Sequence, residues 1–122
     1  MNLPENLRYT PDHEWIDEAG RVGITEYAQD ALGDVVFVEL PQVGRALKAG
    51  EAFGVVESVK SVSDLYSPVT GIVVAVNTEV AGQPELVNLD PYQAGWIIKL
   101  DPEMNSADLL PADAYRSQIE GA

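Results

Sequence analysis

No cysteine occurs in this 122-residue chain. Disulfides, thiolate nucleophiles and cysteine-built zinc sites are therefore excluded. Histidine is nearly as scarce: His13 stands alone, so no second imidazole is available for a metal site, and no base partner for it can be named. Basic residues are few. Seven Lys and Arg face 20 Asp and Glu, a formal net charge of −13, and such a chain is repelled by nucleic-acid phosphates and anionic membranes. The same acidity serves solubility or steering toward basic partners. No apolar run approaches the ~20 residues that cross a bilayer. The start, Met1-Asn2-Leu3-Pro4-Glu5, lacks the basic and apolar stretches of a secretory signal. A cytoplasmic protein is expected, with the mitochondrial matrix as the alternative for a processed eukaryotic chain. Neither a Gly-x-Ser-x-Gly elbow nor a glycine-rich phosphate loop occurs.

What remains is a chain rich in valine and alanine, 46% hydrophobic with few aromatics. That composition predicts one compact, mostly β domain over residues 1–122, with a helical appendage from about residue 102. Residues 1–12 read as extended. His13–Ile16 and Arg21–Thr25 flank Glu18-Ala19-Gly20 as a hairpin. Thr25 caps a helix over Glu26–Leu32, and Gly33 stops it. Val35–Leu40 is a strand ended by Pro41, and Val43–Gly50 is a connector. Gly82-Gln83-Pro84 marks a loop, Glu85–Asn88 a short strand, and Gly95–Leu100 the last strand. Helical pattern follows, in Asp108-Leu109-Leu110 and around Ala112–Ile119.

The segment Glu57-Ser58-Val59-Lys60-Ser61-Val62-Ser63-Asp64 carries the most information. It is a polar interruption between two β-rich runs, Phe53–Val56 upstream and Ile72–Val76 downstream of the Ser67-Pro68 turn. The pattern predicts a hairpin with Lys60 at or near its tip. Only Lys48 and Lys99 accompany it as lysines. A catalytic lysine needs burial or a neighbouring cation to lower its pKa, and here the neighbours Glu57 and Asp64 are acidic. A lysine modified by another enzyme needs no such shift, and the small Ser58 and Ser61 leave it accessible. The strand–glycine–strand arrangement before Lys60 faintly echoes the one after it, as in a flattened sandwich with the lysine turn on a pseudo-symmetry axis. His13 reads as a structural or surface residue in a strand. Asp12, Glu14, Asp17 and Glu18 read as a solvated acidic face, since calcium-loop spacing is absent.

Several long segments resemble the H-protein family of the glycine cleavage system. They are Tyr9–Trp15, Val22–Gln29, Leu32–Pro41, Gly54–Lys60, Ser63–Gly71, Pro84–Asn88, Asp90-Pro91-Tyr92 and Gly95-Trp96. The resemblance implies a biotinyl/lipoyl-like flattened β sandwich (a barrel-sandwich hybrid) with short helices and a C-terminal helix. It implies a carrier without its own active site, holding lipoate in amide linkage on Lys60 (N6-lipoyllysine). Glu57 and Gly71 match positions used in recognition by a lipoate-attaching enzyme, though Gly71 also reads as a turn glycine. The implied partners are a pyridoxal-phosphate glycine decarboxylase (P protein), a tetrahydrofolate aminomethyltransferase (T protein) and dihydrolipoamide dehydrogenase (L protein). The carrier would pass an aminomethyl group from the first to the second and be reoxidised by the third, as a monomer. Glu14 and Asp64, acidic residues within matched segments, are the candidate contacts for the loaded arm. Three departures stand out: Ser61 where alanine is common, a shortened loop around Ile16–Arg21, and Ala31 where some relatives place a histidine.

Rival readings are a lipoyl domain of a 2-oxoacid dehydrogenase, a biotin carrier, an H-like protein relaying lipoate to other enzymes, and a small independent enzyme. The His13-Glu14-Trp15 segment and the helical C-terminus count against the first. Val59 and Ser61, in place of methionines, count against the second. The missing nucleophile–base pair counts against the last.

Overall fold

The computed structural model describes residues 2–102 and 109–121. Two antiparallel sheets, not closed into a barrel, face one another. The larger contains β1 (Arg8–Tyr9), β2 (Glu14–Ile16), β3 (Arg21–Ile24), β9 (Ile98–Pro102), β8 (Gly71–Val76) and β5 (Ala46–Leu47), in that order. The smaller contains β4 (Val35–Glu39), β6 (Ala52–Ser58) and β7 (Val62–Tyr66). Alternation explains the layering: along a strand, every second side chain points to the same face. Val22, Ile24, Leu47, Val73, Ile98 and Leu100 from the first sheet meet Val35, Val38, Phe53, Val56 and Leu65 from the second in one buried cluster.

A second buried cluster joins the two ends of the chain. Helix α4 (Ala112–Glu120) lays Tyr115 against Tyr9 in a stacked pair, with ring centroids 4.9 Å apart. Leu3, Leu7, Trp15 and Ala112 complete it. Helix α1 (Glu26–Leu32) starts at Thr25, whose hydroxyl accepts from Ala28 N–H, and ends at Gly33 with φ 84°. Short helices α2 (Thr78–Gly82) and α3 (Leu86–Leu89) follow β8.

Local signals placed α1 and the β2–β3 hairpin as expected, and other segments differ. The downstream arm of the lysine hairpin is Val62–Tyr66, paired with β6. Ile72–Val76 belongs to the other sheet, between β9 and β5. Glu85–Asn88 is not a strand: Leu86–Leu89 forms a helical turn. The last strand begins at Ile98, because the Asn77 side-chain amide donates to the Ala94 and Trp96 carbonyls at 2.9 and 2.7 Å and holds Gly95-Trp96 outside the ladder. The connector Val43–Gly50 contains β5. Asp108 lies outside the described residues. Leu110 is extended rather than helical, bridging Tyr9 antiparallel. His13 is not in a strand: it adopts φ 72° in the turn before β2.

Candidate functional site

Lys60 sits in the three-residue connection between β6 and β7 and is exposed. The turn closes on itself: Ser58 N–H donates to the Ser61 carbonyl at 2.8 Å, and Lys60 N–H donates to the Ser58 hydroxyl at 3.3 Å. Val59 N–H donates to the Asp34 carbonyl at 3.1 Å, tying the tip to the corner between α1 and β4. The Lys60 stem lies across Gly33, whose added Cβ would stand 3.2 Å from Lys60 Cε. A side chain at Gly33 would therefore crowd the lysine as well as strain the backbone. Asn88 fixes this corner by donating to the Gly33 carbonyl at 2.8 Å and accepting from Val35 N–H at 2.8 Å.

A cleft of about 420 Å³ opens beside the tip. Ser61 and Leu32 line it next to the lysine and the Gly33 corner, and it follows Val62–Leu65 along β7. Ile24, Tyr27, Ala28 and Ala31 form another wall, and Asp12, His13 and Glu14 also line it. Among the described residues, no lysine or arginine lines it. Glu14 bonds to Tyr66, the last residue of β7. The path from Ser61 to Tyr66 is five residues of strand, roughly 16 Å.

Glu14 is the unusual group here. It is only 2% exposed, so it is not part of a solvated face. Its Oε1 accepts from the Thr10 hydroxyl at 2.8 Å and its Oε2 from Tyr66 N–H at 3.3 Å. Burial pushes its carboxyl up to about 8, against these two bonds, which lower it. An acid without a cation, kept from water, is a site that a cation relieves. Asp64 lines the same cleft but is exposed.

His13 Nδ1 lies 2.7 Å from the Tyr115 hydroxyl, which lies 2.8 Å from the Thr25 hydroxyl. The C-terminal helix thus joins two cleft walls, the His13 turn and the N-terminus of α1. Burial lowers the His13 pKa, with nearby Asp12 opposing, and raises that of Tyr115 to about 12.

The sequence-predicted residues separate into two groups. Lys60, Glu14 and Asp64 lie on or beside the cleft, and Ser61 and Ala31, two of the noted departures, line it as well. Glu57 lies on β6, paired with Val62 and Phe37, half-buried. Gly71 opens β8 in the other sheet, where an added Cβ would stand 2.5 Å from the Asp101 carbonyl oxygen. Close strand approach, rather than a turn, requires glycine there. The third departure, the Ile16–Arg21 loop, lines a separate cavity of about 480 Å³ through Ile16, Asp17 and Glu18. Sequence reasoning missed Thr10, Asn88 and Tyr115. The available signals were the matched segments Tyr9–Trp15 and Pro84–Asn88, which contain Thr10 and Asn88.

Comparison with known proteins bears on the same features. A family model described as glycine cleavage H-protein matches residues 7–121. The chain is 56% identical over 118 residues to a glycine cleavage system H protein of Deinococcus deserti, covering 97% of this chain and 98% of that one. It is 55% identical over 125 residues to a probable glycine cleavage system H protein of Haloarcula marismortui, covering 98% of each. The crystal structure of a glycine cleavage system H protein from Mycobacterium marinum superposes with a TM-score of 0.90 at 45% identity, covering 98% of this chain and all of that one.

Proposed function

The chain belongs to the glycine cleavage H-protein family, and from that premise we propose that it is the lipoyl-bearing shuttle of the glycine cleavage system, with Lys60 as the attachment point. The observation that carries this reading is a cleft leading from an exposed lysine to a buried carboxyl, with no Lys or Arg lining it among the described residues. The residues fit such a group. A lysine stem extended by a medium-chain acid has a reach comparable to the roughly 16 Å of strand along the cleft. Apolar Ile24, Leu32, Val62 and Leu65 suit its hydrocarbon. When attached, the lipoyl dithiolane supplies the sulfur chemistry that a cysteine-free chain cannot.

The protein's own contributions are position and shelter. The Ser58–Ser61 turn holds Lys60 out on a rigid hairpin, accessible to an attaching enzyme and to successive partners. Tethering raises the local concentration of whatever the arm carries at each partner's active site. An aminomethyl cargo bears an amine that is cationic at neutral pH. Glu14 offers that ammonium a buried acceptor, and Asp64 adds negative charge to the same cleft. The cation offsets the cost of keeping Glu14 ionised away from water, while Ile24, Ala28 and Leu65 exclude solvent.

The proposed partners are the glycine decarboxylase, the aminomethyltransferase, dihydrolipoamide dehydrogenase and a lipoate-attaching enzyme. Glu57 and Gly71 are proposed as features the attaching enzyme reads. The bacterial and archaeal sources of the relatives support a cytoplasmic setting, and the chain is proposed to act there as a monomer. Lys60→Arg keeps the charge and removes the acylatable amine. Glycine turnover by the reconstituted partners should fall to the level without carrier; undiminished turnover would refute the assignment.

A further inference from the structure

The loop joining β1 to β2 is folded tightly around one hydroxyl. Thr10 N–H donates to the Glu14 carbonyl at 2.9 Å, and His13 N–H donates to the Thr10 carbonyl at 3.1 Å. Inside this turn the Thr10 hydroxyl oxygen accepts from Asp12 N–H and from Glu14 N–H, both at 3.2 Å. A hydroxyl has two acceptor lone pairs and one proton. With both lone pairs engaged, the proton has one remaining role, donation to Glu14 Oε1 at 2.8 Å. Glu14 Oε2 is held independently by Tyr66 N–H of β7. One donor from the loop and one from the facing strand thus fix the carboxyl plane. Each oxygen keeps further acceptor capacity for the cleft that Glu14 lines.

We infer that Thr10 is a positioning residue for the cationic cargo: its hydroxyl, committed in direction by two backbone N–H groups, holds the Glu14 carboxyl in place and favours its charged form. The inference rests on the proposed role of Glu14 and deepens it. Among the described residues, the titratable groups around Glu14 are Asp12 and His13 on its own loop, Tyr27 on α1, Asp64 on β7 and Tyr115 on α4. No Lys or Arg is among them, so hydrogen bonds are what oppose the upward push of burial. Thr10 Oγ1 supplies the first of those bonds.

The first measurement needs no attached group. Carbon-13 NMR of the Glu14 carboxyl is followed against pH in the unmodified chain, for the parent, Thr10→Val and Thr10→Ser. Thr10→Ala, which leaves room for a water, serves if valine disrupts the turn. Losing the hydroxyl should raise the Glu14 midpoint by about one pH unit, a roughly tenfold smaller ionised fraction well below the midpoint. Serine should restore the parent value. A midpoint unmoved in a folded valine or alanine variant overturns the inference. The lifetime of the loaded arm is then compared for parent, Thr10→Val and Glu14→Gln. A shortening in both variants supports the inference. A shortening in Glu14→Gln with an unmoved Thr10→Val midpoint overturns Thr10's role and leaves that of Glu14 standing. A lifetime indifferent to Glu14→Gln overturns the role of Glu14, and with it this inference.

Discussion

Glu14 spans two environments, with a backbone in β2 and a carboxyl cut off from water. Its pKa rises from an ordinary 4.5 to about 8 in the fold. Between those values the native state holds a proton that the unfolded chain has released. The stability this group contributes is therefore complete below about pH 4.5 and is lost as pH rises through about 8. Glu14→Gln removes that dependence. Urea unfolding of parent and variant from about pH 5 to about pH 9 should show the difference moving steadily in the variant's favour. A constant difference would mean that Glu14 titrates as an ordinary acid. The charges of Glu14 and Asp64 were legible in the sequence, but the burial of one and exposure of the other were not. His13 was misplaced for a related reason: its partner Tyr115 is 102 positions away in the chain, and periodicity carries no information about such a contact.

At the scale of elements, α1 was fully readable because its signals are local. Thr25 supplies the cap, Gly33 the stop, and the cap bond to Ala28 N–H spans three residues. The lysine hairpin was legible in its tip and wrong in one arm. Ile72–Val76 is the stronger apolar run, but the strand that pairs with β6 is Val62-Ser63-Asp64-Leu65-Tyr66. Its polar residues weaken the alternation that would identify it: Ser63 and Asp64 line the cleft. Leu86–Leu89 is too short for a helical period to register. Leu110 pairs with Tyr9, an arrangement set by chain ends meeting in space. Thr25 also touches Tyr115, so the cap has a tertiary role as well as a local one. Thr25→Ala should cost about 1–2 kcal/mol in chemical denaturation, and Thr25→Ser should recover most of it. A loss within ~0.3 kcal/mol would show that neither bond matters to stability.

Taken whole, the molecule is a small sandwich that exposes the Lys60 hairpin tip and shelters a cleft beside it. Tyr115 of α4 reaches both the His13 turn and Thr25, so the C-terminal helix helps hold that cleft in shape. The formal charge of −13 disfavours phosphate-rich partners and serves solubility or steering toward basic ones. Family membership is shown along residues 7–121, and the bond that would make the chain a carrier is a single amide. After expression with lipoate and a lipoate-attaching enzyme, peptide mass mapping tests that bond directly. The outcome expected of a carrier is a lipoyl-sized increment on the peptide containing Lys60 and none on those containing Lys48 or Lys99. An increment on either of the other lysines, or an unmodified Lys60 in a chain that supports glycine turnover, would contradict it.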